Sequence, residues 1–186
     1  NKILVLYYMS HFIGDWMSDL AILEEHLRTV EYKTSTDRLK KFGIKRSVGG
    51  SVCMGWTWRG KMSKTKCREW CIEKKKYKTK LLSERPELWE TFEEFRDLYF
   101  PHFDFTGIML NKNYAMGKHK DKANIGESVL VCCGNYEGGA TCVQLEDGTI
   151  QKFDARLNPV VFNGSQYEHW VEKFTGDRFS VVFFRD

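Results

Sequence analysis

His119-x-Asp121, followed 50 positions later by His169, is the spacing in this chain most able to do chemistry. In an extended segment residues i and i+2 point the same way, so His119 and Asp121 present an imidazole and a carboxylate to one point. His169 follows the apolar run NPVVF and stands beside an aromatic, a position across the mouth of a small barrel. Two imidazoles and one carboxylate form a facial triad suited to ferrous iron, with three coordination positions left for a cosubstrate and O2. Alone, H-x-D is equally a polar turn: NYAMGKHKDKANIG, residues 113–126, carries Gly, Asn and a comb of lysines between strand-like flanks. In the ligand reading Lys118, Lys120 and Lys122 alternate with the donors and face away from them.

The chain's end supplies an anion clamp. Arg178 comes nine residues after His169, past the turn FTGD, and Ser180 stands at i+2 on the same strand face. A guanidinium is a planar, permanently charged fork that matches a carboxylate, and a neighbouring hydroxyl adds a donor. A dicarboxylate could therefore chelate the metal at one end and meet Arg178 at the other.

These residues need a scaffold that holds a barrel mouth open. Residues 3–9 read as a strand. Over 15–31, Trp16, Leu20, Leu23, Leu27 and Val30 recur at helical spacing. The stretch 48–60, VGGSVCMGWTWRG, reads as glycine-punctuated β structure. A second helix is expected over 83–100, with Ser83 as cap, Pro86 in the first turn and Leu88, Phe92, Phe95 and Tyr99 as its apolar stripe. After 103 about seven short strands follow, separated by Gly, Asn and Asp. The fold class is α+β: a jelly-roll, or double-stranded β-helix, buttressed by N-terminal helices. With 186 residues and 42% hydrophobic composition, one domain is expected, with a helical, basic part over 1–100 and the β core with the metal site over 101–186.

The order His119-x-Asp121, His169, Arg178-x-Ser180 resembles the Fe(II)/2-oxoglutarate-dependent dioxygenases, specifically over 103–186. The resemblance implies a double-stranded β-helix with His119, Asp121 and His169 on Fe(II), and Arg178 with Ser180 on the distal carboxylate of 2-oxoglutarate, with O2 as co-reactant. It also implies cosubstrate contacts from Asn113 or Tyr114. Within that superfamily the chain is similar to the TET/JBP family of DNA base hydroxylases. HKDKAN fits its H-x-D-x-x-N pattern, and the ending FDARLNPVVFNGSQYEHWV resembles thymine hydroxylases and TET-like algal and protist proteins; a viral source would also suit. This implies oxidation of the methyl group of 5-methylcytosine or thymine, with Asn124 on the base edge. A turn-forming Asn before Gly126 is the plainer reading of the same residue. The chain lacks the cysteine-rich zinc-binding segment of the animal enzymes.

Charge is consistent with a DNA substrate. Segment 33–80 holds 16 Lys/Arg against 3 Asp/Glu, a net of +13, whereas 81–186 holds 11 against 17, a net of −6. Such a segment is either a solvated face or a phosphate footprint. In the second case Lys61, Lys64 and Arg59 contact DNA, and Trp56 and Trp58 stack on a base extruded from the duplex, unless they are core residues. Two other readings stay open: a hydroxylase of a protein side chain (prolyl-type) or of RNA, and a non-catalytic nucleic-acid-binding module. Prolyl hydroxylases commonly hold the distal carboxylate with Lys, so Arg178 leans against the first. The cysteines at 53, 67, 71, 132, 133 and 142 read as free thiols of a reducing compartment, and Cys67-x3-Cys71 does not have zinc-ribbon spacing. No run is long enough to span a bilayer, so an intracellular protein, nuclear or cytoplasmic and monomeric, is expected.

Overall fold

Apolar spacing decides which face of each element is covered. In the computed structural model, which describes residues 4–5, 13–33, 49–57 and 77–186, the elements run β1 Leu4–Val5, α1 Ile13–Arg28, β2 Gly50–Thr57, β3 Tyr77–Lys78, α2 Lys80–Glu84, α3 Pro86–Tyr99 and β4 Gly107–Lys112. They continue as β5 Ser128–Cys133, β6 Tyr136–Gly138, β7 Thr141–Gln144, β8 Ile150–Phe153, β9 Val160–Phe162, β10 Glu168–Val171, β11 Phe174–Gly176 and β12 Phe179–Phe184. A seven-stranded sheet has the order β1-β9-β5-β12-β4-β2-β3, faced by a three-stranded sheet β10-β7-β8 and a short β11-β6 ladder. No helix among the described residues is long and apolar enough to cross a membrane.

The period-2 alternation of the central strands sorts two cores. Phe179, Val181 and Phe183 of β12, Ile108 and Leu110 of β4, and Val129, Val131 and Cys133 of β5 turn outward onto the helices. There they meet Trp16, Leu20, Leu23 and Leu27 of α1 and Leu88, Phe92, Phe95 and Tyr99 of α3, the two stripes read from the sequence. Phe183 is fully buried among Phe92, Phe100 and Phe105, with ring centroids at 6.0, 5.0 and 5.2 Å. The alternate residues face the other sheet: Leu130, Cys132, Val160 and Phe162 pack with Val143 and Tyr136 in a second cluster. The helices thus stiffen the large sheet from behind, and its inner face is left to line a cavity.

The structure departs from the sequence expectations at three places. Ser83 does not cap the long helix: it lies inside α2, whose cap is Thr79, with Thr79 Oγ1 accepting from Leu82 N–H at 3.3 Å. Pro86, which has no N–H to donate, opens α3 directly after Arg85. FTG, read as a turn, is instead β11: the chain breaks at Glu172–Lys173 after β10, and Phe174–Gly176 pairs with β6. The first helix ends at Arg28, short of 31, while Val30 remains in the core.

Candidate metal centre and anion pocket

His119 and His169 are placed by backbone pairing. They form an isolated antiparallel bridge, each N–H donating to the other's carbonyl at 3.0 Å. The H-x-D segment is extended there without being a strand, and Asp121 is fixed by its N–H donating to Gly164 O at 2.8 Å. Each imidazole is oriented from behind: His119 Nδ1 lies 2.8 Å from Gly117 O and His169 Nδ1 lies 3.0 Å from Tyr167 O. With Nδ1 donating to a carbonyl, a neutral ring carries its lone pair on Nε2, the atom a metal would take. Both Nε2 atoms point at Asp121, 3.5 Å from Oδ1 for His119 and 3.5 Å from Oδ2 for His169. One ligand atom from each of the three residues lies within 4.8 Å of the others, a group able to hold a metal ion. Burial opposes the charge of Asp121, but the two imidazoles beside it outweigh that and hold the carboxyl well below the usual carboxylate range.

The triangle opens into a cavity of 820 Å³ that Arg178, Ser180, Tyr114 and Thr141 also line. Ser180 stands on β12 and Arg178 just before that strand begins; both line the cavity and are 5% and 2% exposed. Three polar atoms of these lining residues are buried with no hydrogen-bond partner: Arg178 Nε, Tyr114 OH and Thr141 Oγ1. Orphaned buried donors are costly, about 1–3 kcal/mol each, and rare unless a ligand satisfies them. A buried guanidinium nitrogen and two hydroxyls without partners thus line the same cavity as a metal-type triangle, a set of groups that matches a metal-chelating dicarboxylate in chemistry.

No family model matches the chain, nor does any curated protein. Solved structures do. An oxidoreductase of the 2OG-Fe(II) oxygenase family from Burkholderia pseudomallei is similar over 99% of this chain and 95% of its own, with TM-score 0.57 and 13% identity. The fold is that of the 2OG-Fe(II) oxygenases. A Pseudomonas putida prolyl-4-hydroxylase matches over 99% of this chain and 91% of its own, at TM-score 0.50 and 15% identity. A Trichoplax adhaerens prolyl hydroxylase, in complex with a hypoxia inducible factor peptide fragment, matches over 100% and 83%, at 0.50 and 11%.

In this oxygenase fold the other sequence-singled residues fall into three groups. Tyr114 lines the cavity, but Asn113 does not: at φ 49° its carboxamide is held by residues 177–178, accepting from Arg178 N–H at 2.7 Å and donating to the Asp177 side chain at Oδ1, 2.9 Å away. It anchors the start of β12 where cosubstrate contact was expected. Asn124 lines the cavity and also closes a turn, its N–H donating to Asp121 O at 3.0 Å; its Nδ2 is 3.5 Å from Asp121 Oδ2 and 3.4 Å from Ser128 Oγ. The amide nitrogen expected on a base edge is thus turned toward the ligand carboxylate. Trp56, on β2 opposite Lys78 of the edge strand β3, is 41% exposed, with Lys78 Nζ 5.0 Å from its ring centroid, and is outside the cavity lining. Trp58, Arg59, Lys61 and Lys64 lie outside the described residues, as does most of the basic segment. Lys118, Lys120 and Lys122 are exposed at the cavity, with Lys118 paired to Glu168 at 3.1 Å.

Sequence reading missed Thr141, Asn111 and Gly164. Thr141 had a signal, a lone hydroxyl in the buried run GATCVQL, two residues before Val143 and so on its face. Gly164 had none. A Cβ there would lie 3.2 Å from Asp121 Oδ2 and 3.4 Å from His169 Cε1, so the carboxylate would have to give by a few tenths of an ångström to admit one. Gly164→Ala should displace the Asp121 carboxylate and weaken Mn(II) binding about 10-fold, read by electron paramagnetic resonance titration, with the melting temperature little changed.

Proposed function

We propose that this chain is an Fe(II)- and 2-oxoglutarate-dependent dioxygenase that oxidises the methyl group of a pyrimidine base, 5-methylcytosine or thymine, in DNA. The observation that carries the chemistry is the meeting, in one cavity, of the His119–Asp121–His169 triangle with two hydroxyls and an Arg178 Nε that have no partner. His119, Asp121 and His169 would hold Fe(II); Arg178, Ser180, Tyr114 and Thr141 would hold the distal carboxylate of 2-oxoglutarate. With iron bound, the cosubstrate couples its own decarboxylation to succinate and CO2 with reduction of O2, leaving one oxygen atom to insert into a substrate C–H bond.

The protein's own work is orientation and exclusion of water. Nδ1 anchoring fixes both imidazoles before a metal arrives, so little ordering remains to be done on binding. Met109, Leu130, Phe162 and Val182 give the cavity apolar walls beside its polar groups. Asn111 Nδ2 donates to Ser180 Oγ at 3.1 Å, which leaves the Ser180 hydrogen to point toward the carboxylate.

Support for DNA comes from the cavity rim and the sheet edge. Lys118, Lys120 and Lys122 line the opening, and besides the ligand Asp121 the lining holds one other carboxylate side chain, Asp186. An exposed Trp56 under Lys78 offers a ring and a charge beside β2, whose Cys53 lines the same cavity. Trp56→Ala should weaken binding of methylated DNA by about 1–3 kcal/mol with 2-oxoglutarate affinity unchanged, measured by fluorescence anisotropy at fixed salt.

The decisive experiment supplies Fe(II), 2-oxoglutarate and O2 together with DNA containing 5-methylcytosine or thymine, RNA, or proline-containing peptides. Succinate is quantified, and digested DNA is examined by nucleoside mass spectrometry. Hydroxymethylated base with stoichiometric succinate is expected. Turnover stimulated only by peptide or RNA sinks the DNA assignment, and absence of succinate with every substrate sinks the chemistry.

A further inference from the structure

Arg178 is nearly sealed, at 2% exposure, and makes no ion pair with any described carboxylate. Something neutral must hold its fork in place. Arg178 Nη2 donates to Cys132 Sγ at 3.1 Å, and Cys132 is itself 1% exposed. The guanidinium lies 5.4 Å from the Tyr136 ring centroid and 5.6 Å from that of Phe174, two rings that meet edge-on at 6.2 Å. Its arm passes over Gly139, where a Cβ would stand 3.0 Å from Arg178 Cδ and 3.1 Å from Nε.

Strand register makes this contact. Ser180 of β12 pairs with Cys132 of β5 on one side and Asn111 of β4 on the other. A thiol, a hydroxyl and a carboxamide therefore stand in register across three strands, the last two lining the cavity, and Arg178, two residues before Ser180, reaches diagonally to the thiol. From these contacts we infer that Cys132 is a positioning residue: its thiol accepts one guanidinium hydrogen and so aims the unpartnered Nε of Arg178 at the bound carboxylate. Burial pushes the Cys132 thiol up, which keeps it neutral. A carboxylate at this position would accept the same hydrogen bond but neutralise the charge that the ligand must meet.

The inference rests on the reading of Arg178 as the cosubstrate's anchor, and its test separates the two. Cys132→Val keeps a buried apolar side chain and removes the acceptor, whereas Cys132→Ser keeps an acceptor; Cys132→Ala replaces the valine variant should that one not fold. Affinity for 2-oxoglutarate is measured by calorimetry with Mn(II) present, and KM and kcat by succinate formation. Cys132→Val is expected to raise both the dissociation constant and KM for 2-oxoglutarate about 10-fold with kcat within about 2-fold of wild type, and Cys132→Ser to recover most of the loss. A folded valine or alanine variant that binds 2-oxoglutarate as wild type does overturns the role of Cys132, as does a serine variant no better than valine. Wild-type protein that does not bind 2-oxoglutarate at all overturns the anchor reading, and the inference with it.

Discussion

His119→Ala should leave a folded protein that no longer turns over 2-oxoglutarate. The bridge to His169 is made by main-chain atoms, N–H to carbonyl at 3.0 Å in both directions, and survives loss of the ring. The imidazole is partly exposed and faces Asp121 and His169 rather than the core, so the stability change should stay near 1 kcal/mol. The effect on the site is far larger. Two donors in place of three, with the Asp121 carboxylate deprived of one of the two imidazoles that offset its burial, should weaken Mn(II) binding by at least about 100-fold, more than loss of an outer-shell partner. Succinate formation should fall to background, while Lys120→Ala, one residue away and exposed, should leave uncoupled 2-oxoglutarate turnover intact. Retained turnover in His119→Ala would mean that the triangle is not the metal centre, and would revive the reading of 113–126 as a polar turn.

Much of the arrangement was legible because it is local. Period 2 brought Arg178 and Ser180 to one cavity, and period 3.6 marked the two stripes that cover the large sheet. What could not be read depends on partners distant in sequence. The β6–β11 ladder pairs three-residue segments, each ending in glycine, which carry too little apolar signal to register as strands. Asn113 was a reasonable cosubstrate contact until the return of β12 placed Arg178 N–H within 2.7 Å of its carboxamide. Thr141 is one hydroxyl in an apolar run, and its lack of a partner emerges only once the facing strands have closed around it. Asn124 shows both kinds of information at once: the turn it closes is local, but the Ser128 hydroxyl beside it and the carboxylate it faces belong to the site.

Arg178→Met is the variant in which stability and function should part most clearly. A buried cation without a carboxylate partner is a burden on the folded state; a well-packed apolar side chain of similar length removes it, and such exchanges are often neutral or stabilising by 1–4 kcal/mol on the order-of-magnitude scale of buried charges. Here the aromatic faces of Tyr136 and Phe174 and the Cys132 thiol offset only part of the desolvation, and they would pack against a thioether as well. The melting temperature of Arg178→Met should therefore equal or exceed that of wild type. Binding should fail in the same variant, because the cosubstrate's distal carboxylate would enter a wall with two hydroxyls and no charge: a loss of about 3–5 kcal/mol, or roughly 100- to 1000-fold or more in 2-oxoglutarate affinity. Arg178→Lys should recover little, since an ammonium offers no planar fork and cannot reach Cys132 and the ligand together. Calorimetry with Mn(II) and thermal unfolding on the same preparations test both halves. A large drop in melting temperature together with intact 2-oxoglutarate binding would make Arg178 a structural ion and move the cosubstrate's anchor elsewhere in the cavity. The opposite pattern would show that the fold tolerates a destabilising charge at this position because a ligand completes it.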